Sequence, residues 1–175
     1  MTKKIIYKAW IAVGLYMVLI CLSCSKTRPE KYIAVTALNS NLVSTAYRPM
    51  FLNELMERKY KNQLPGTSAE EYVRDRAIKP VDEAIEKVKQ LKETAETKEL
   101  IAAALEVMTY GKTIFEHEYK SIAELIDKER PLEEIDKAIT EMYDNTETGM
   151  AERFDRLDTL ALKYARANKV PFDLI

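Results

Sequence analysis

The sequence predicts an all-α fold, an antiparallel four-helix bundle with kinked long helices, behind an N-terminal signal segment. Three observations predict it. The chain has only 4 Gly in 175 residues and is rich in Ala, Leu, Glu, Lys and Arg, the residues with the best intrinsic helix propensity. Its apolar residues recur at spacings of three and four, the period of one helix face. The stretches so marked run about 25 to 35 residues and are joined by short connections, as in bundles of sequence-adjacent helices. At 175 residues and 47% hydrophobic content, one globular domain is expected.

The first stretch covers about Tyr32 to Lys61, with Val35, Leu38 and Leu42, then Met50, Phe51, Leu55 and Met56, as its apolar positions. Pro49 should kink or break it near Arg48, and the polar "NSN" at 39–41 reads as a solvated face. "LPGTSAEE" at 64–71 is the clearest punctuation in the chain. Pro65-Gly66 fits the centre of a type II turn, and Ser68 with Glu71 forms a capping box. The second helix, about Ala69 to Thr94, carries a seam of Ala77, Val81, Ala84, Val88, Leu91 and Ala95, with a bend expected at Pro80. Thr97 is the expected N-cap of the third helix, whose seam is Ile101, Leu105, Met108, Phe115, Tyr119, Ile122 and Ile126, interrupted at Lys112. The fourth, about Leu132 to Ala167, follows Pro131 at its first helical position. It carries Ile135, Ile139, Met142, Met150, Phe154, Leu157, Ala161 and Tyr164, with a slip or break expected near "YDNTETG" at 143–149.

Ahead of the helices, Lys3, Lys4 and Lys8 precede fourteen uncharged residues, "AWIAVGLYMVLICL" at 9–22. That run is short for a spanning helix and matches the hydrophobic core of an export signal. Both cysteines, Cys21 and Cys24, lie at its end. A redox pair there would need a βαβ context, and residues 1–23 read instead as a signal peptide, 24–31 as a tether and 32–175 as the helical domain. Removing 1–23 takes three lysines and no acid from 27 basic and 28 acidic residues, leaving 24 against 28. Such a body has no basic surplus with which to bind nucleic acid or anionic headgroups, so acyl chains would have to hold it to a membrane.

Chemistry inside the bundle finds little support. His117 is the one histidine, and Ile114 stands three before it, so the Glu-x-x-His of di-iron bundles is absent. There is no C-x-x-C-H, nucleophile elbow, phosphate loop or metalloprotease histidine pair. No catalytic residue, metal site or cofactor is expected. The alternative is a bundle that binds a small ligand, haem or metal through His117 and core tyrosines, with Tyr110 and Tyr119 the contacts of interest. Tyrosine, at 10 residues, combines an apolar ring with a polar tip and favours such surfaces.

"CLSCS" at 21–25 resembles the lipobox of bacterial lipoproteins: Ser23 stands directly before Cys24, which would be lipidated and become the first mature residue. Cys21 departs from the aliphatic residue usual three before. With its helical body and the closing "LALKYARANKVPF", the chain resembles small all-helical envelope lipoproteins of Bacteroidetes-type bacteria. The resemblance implies export to the cell envelope, anchoring through Cys24 and no particular activity. Ser25, in place of the aspartate associated with inner-membrane retention in enteric bacteria, points by analogy to the outer membrane.

Overall fold

The computed structural model describes residues 27–173. The expected signal segment 1–23 and the expected lipidation site Cys24 lie outside the described residues. The protein is all-helical, with five helices and no strand among the described residues. Five appear where four stretches were expected because Pro49 divides the first.

Helix α1 comprises Pro29–Ile33, a π turn Ala34–Leu38, and Asn39–Ala46. It starts within the expected 24–31 tether, because proline at the first helical position loses no hydrogen bond there. Tyr47 and Arg48 leave the helix, Arg48 in the extended conformation that a following proline imposes, and α2 runs Pro49–Tyr60.

The buried face of α1 differs from the expected stripe. Leu38 is 49% exposed, Leu42 40% and, at the start of α2, Met50 73%. Tyr32, Ile33, Thr36, Ala37, Ser40 and Val43 are buried instead. Two causes act together. The π turn inserts an extra residue and shifts the phase of everything after it. The Thr36 and Ser40 hydroxyls donate to the carbonyls of Tyr32 at 2.6 Å and Thr36 at 3.0 Å, so polar side chains enter the core already satisfied. The middle of "NSN" is thus core rather than solvated face.

The turn before α3 is as expected: Gly66 has φ +72°, and the Thr67 N–H donates to the Leu64 carbonyl at 3.1 Å. Both capping-box bonds are present at 3.0 Å, Glu71 N–H to Ser68 Oγ and Ser68 N–H to Glu71 Oε2. Helix α3 comprises Ala69–Val73, a π turn Arg74–Ile78, and Lys79–Lys89. The anticipated bend at Pro80 takes the form of that π turn. The Lys79 N–H reaches the Arg74 carbonyl, five residues back, and the widened turn relieves the clash a proline ring makes with the preceding turn. Ala77, Val81, Ala84, Val88 and Leu91 are buried as the seam predicts. Ala95 falls beyond the helix end and is exposed.

Helix α4 comprises Lys98–Ile114, a π turn Phe115–Tyr119, and Lys120–Asp127. Thr97 is its N-cap residue, but its hydroxyl accepts from the Thr94 N–H at 2.9 Å and closes the preceding loop. At Lys112 the seam is carried by buried Gly111, where a Cβ would overlap the Val43 methyls of α1. Lys112 itself turns out to Asp82 of α3 at 2.5 Å, a contact that raises its pKa.

Helix α5 is unbroken over 37 residues, Leu132–Asn168, and Pro131 stands at its N-cap in a non-helical conformation, rather than at the expected first helical position. The break expected at 143–149 does not occur. Gly149 serves contact instead: a Cβ there would lie 2.7 Å from the Tyr110 hydroxyl. Helix α4 packs along α5 and α3, and α1 packs on all three. At one end of the molecule the Tyr32 hydroxyl donates to the Lys92 carbonyl at 2.8 Å, and its ring meets Tyr164 edge-on at 5.8 Å. At the other, Asp127 closing α4 accepts from the Ala69 N–H of α3 and from Lys59 of α2, at 2.9 and 2.7 Å.

Candidate functional site

Two regions near α5 present polar and aromatic groups together, and they differ in whether those groups are already satisfied. The first contains Tyr110 and Tyr119. The π turn of α4 places Phe115 and Tyr119 both in the core, with ring centroids 4.9 Å apart. The Tyr119 hydroxyl donates to the Ala46 carbonyl at 3.0 Å, at the very end of α1, and stands 3.3 Å from the Tyr143 hydroxyl. Since a hydroxyl has one proton, Tyr143 is the donor in that second contact. Tyr47, thrown clear of α1 by the break before Pro49, packs edge-on against Tyr143 at 5.2 Å. Its hydroxyl lies 2.8 Å from Thr146 Oγ1, which itself donates to the Met142 carbonyl at 2.6 Å. The same count makes Tyr47 the donor.

The cluster is a closed joint. Burial pushes the Tyr119 phenol far above its ordinary value and raises those of Tyr47 and Tyr143. The phenols therefore remain neutral at physiological pH and supply no general base. Tyr110 sits at its edge, its hydroxyl 3.5 Å from the Thr146 carbonyl. The Arg153 guanidinium lies 4.0 Å over the Tyr110 ring, a cation–π contact, and donates to the Gly149 carbonyl at 2.6 Å. His117 does not join them: it is exposed on the π turn, and no hydrogen bond links its side chain to either tyrosine. Among the described residues no group of three or more potential ligands is placed to hold a metal ion.

The second region is an open groove of ≈ 390 Å³ between α1, the C-terminal half of α5 and the segment that follows it. Its walls carry Leu38, Phe154 and Phe172, and its polar groups include Asn41, Arg48 and Asp158. Leu38 is available because the phase shift of α1 leaves it outside the core. Phe172 arrives through the chain reversal after α5, where Lys169 takes φ 57° and the Val170 N–H returns to the Ala165 carbonyl at 2.9 Å, the six-to-one bond of a Schellman ending. Arg48 is tied back to the Ser44 carbonyl at 3.1 Å. Asp158 is half-buried with no hydrogen bond or ion pair among the described residues. Burial, with the negative charge of Asp155 one turn earlier, raises its pKa.

Sequence reading singled out the tyrosines of the joint but missed the groove, because Leu38 was assigned to the core and Asp158 looks like any helical acid. Its one available signal was the absence of a basic residue three or four positions from Asp158. Among the described residues no helix is long and apolar enough to cross a membrane. In comparisons with known proteins, no protein-family model, no curated protein and no solved structure matches the chain.

Proposed function

We propose that the chain is a lipid-anchored protein of the cell envelope, non-enzymatic, whose helical domain serves as a binding module. The observation that carries the reading is Leu22-Ser23-Cys24 at the end of an uncharged run of fourteen residues preceded by three lysines. The described helices add support. Helix α1 begins at Pro29, five residues past Cys24, and five residues span at most about 17 Å. An acylated Cys24 would hold the Pro29 end of α1, and with it the Lys92 loop and Tyr164, close to the lipid surface. The groove between α1 and α5 would then stand side-on to the membrane and open to the periplasm or the exterior. We read α1, α3, α4 and α5 as an antiparallel four-helix bundle, with α2 covering the far end. The contacts of Tyr32 with Lys92 and Tyr164, and of Asp127 with Ala69, support that arrangement. Ser25 favours outer-membrane placement.

Fractionation of an expressing Gram-negative host tests the anchor. The wild-type chain should enter the membrane fraction with a mass showing loss of 1–23 and added acyl chains. Cys24→Ala should release a folded protein with an unchanged circular dichroism spectrum. Retention of Cys24→Ala in the membrane at unprocessed mass would instead establish an uncleaved anchor.

A further inference from the structure

We propose that the groove between α1 and α5 binds an amphiphilic organic cation, an ammonium head on an aromatic or aliphatic body, with Asp158 as counter-ion and Leu38, Phe154 and Phe172 as the apolar walls. The proposal deepens the binding half of the function proposed above and does not depend on the anchor.

Shape and chemistry argue for it together. A volume of ≈ 390 Å³ lies at the lower end of the range for small-molecule pockets, and the lining mixes apolar side chains with Asn41, Ser44, Arg48 and Asp158, as an amphiphilic ligand requires. Leu38 is 49% exposed, a large aliphatic side chain placed at the rim rather than the core. Phe154 and Phe172 line it with aromatic rings, whose faces attract an ammonium.

The charges select the sign of the ligand. The ionisable groups facing the groove are Arg48, Asp158 and Asp173, with Asp155 adjoining. Arg48 spends its Nε donor on the Ser44 carbonyl, and Asp158 meets no cation among the described residues. A half-buried carboxylate of this kind has already lost part of its hydration, so a cation that pairs with it recovers energy a neutral ligand cannot. An anion would meet the half-buried Asp158 and the exposed Asp155 and Asp173, set against the single cation Arg48.

Isothermal calorimetry with three probes of one body and different heads tests this: phenylbutylammonium, phenylbutanol and phenylbutyrate, each added to the purified chain. The ammonium should bind about tenfold more tightly than the alcohol, the effect of one charge-assisted hydrogen bond, and the carboxylate more weakly than either. Asp158→Asn should bring the ammonium down to the alcohol, while leaving the alcohol unchanged. Phe154→Ala should weaken all three. Lowering the pH through the raised Asp158 titration should weaken the ammonium alone. Equal affinity for the three heads, no saturable binding of the ammonium, or self-association of the chain through this face would overturn the proposal. A membrane-anchored chain that binds none of the probes would retain the anchor and lose the ligand, so the two failures are distinguishable.

Discussion

Asp127 and Asp158 are both partly buried aspartates on neighbouring helices, and their surroundings treat them in opposite ways. Asp127 accepts from the Ala69 N–H, the Glu70 N–H and the Lys59 ammonium, at 2.9, 3.2 and 2.7 Å. Burial alone would raise its pKa, but those three donors outweigh it and hold the carboxyl below its ordinary value. Asp158 has the burial without the donors, and its pKa goes up. One acid is a finished structural part that fastens α2 and α3 to the end of α4. The other is a charge whose partner the described residues do not provide. The tyrosine joint belongs with Asp127: buried, aromatic and polar, as functional sites are, yet with its hydroxyls committed to protein acceptors. Concentration of polar and aromatic residues is therefore a poor guide to a site here. A half-buried charge without a counter-ion is the better one.

If that division is right, the closed regions should be brittle and the groove tolerant. The largest loss is expected at Gly111→Ala, whose methyl would overlap Val43 on α1 and force two helices apart. Overpacking of this kind costs roughly 1–3 kcal/mol, read from denaturant midpoints at unchanged slope. Tyr119→Phe should come next, at about 1–2 kcal/mol, because it removes the buried bond to the Ala46 carbonyl, which keeps only the Arg48 N–H, and leaves the Tyr143 hydroxyl without its acceptor. Survival of that variant without loss would show that the joint is not closed.

The two aspartates give the smallest effects and the sharpest contrast, through their signs. Asp127 has a depressed folded pKa, so its contribution is present above the unfolded value of about 3.9 and is lost as pH falls through the folded pKa. Asp127→Asn should cost about 1 kcal/mol at pH 7, shrinking towards zero below about pH 4. Asp158 has a raised folded pKa, so its ionised form weighs against folding above that pKa, and the penalty lifts as pH falls through it. Asp158→Asn should therefore raise the melting temperature at pH 7 and lose that advantage on acidification. Two curves moving the same way with pH would break the comparison.

What was legible in the sequence divides along similar lines. Features set by local chemistry could be read directly: the Pro65-Gly66 turn, the Ser68–Glu71 capping box, the start of α4 after Thr97 and the interruption before Pro49. The seams of α3 and α4 were also legible, since their buried faces are made of conventional apolar residues. Features set by contact between helices were not. Gly149 looks like a helix breaker in isolation, and only the approach of Tyr110 explains it. Ser40 and Thr36 look solvated until their hydroxyls are seen returning to their own backbone. The π turns are the main reason the stripe of α1 was misplaced, because a fixed 3.6-residue period cannot survive an inserted residue. That same displacement left Leu38 on the surface and helped make the groove, so the candidate site was hidden by the feature that builds it. Of the three contact residues expected from sequence, Tyr119 and Tyr110 belong to the joint and its edge, and His117 stands apart on the surface.

The contrast between closed joint and open groove is tested most directly by a residue-resolved map of amide chemical-shift changes as phenylbutylammonium is titrated into isotope-labelled protein. Saturable changes are predicted at Leu38, Asn41, Phe154 and Asp158, on the facing sides of α1 and α5, with Tyr110, Tyr119 and Tyr143 unmoved. Changes centred on the tyrosine joint, or spread evenly over the surface, would contradict it.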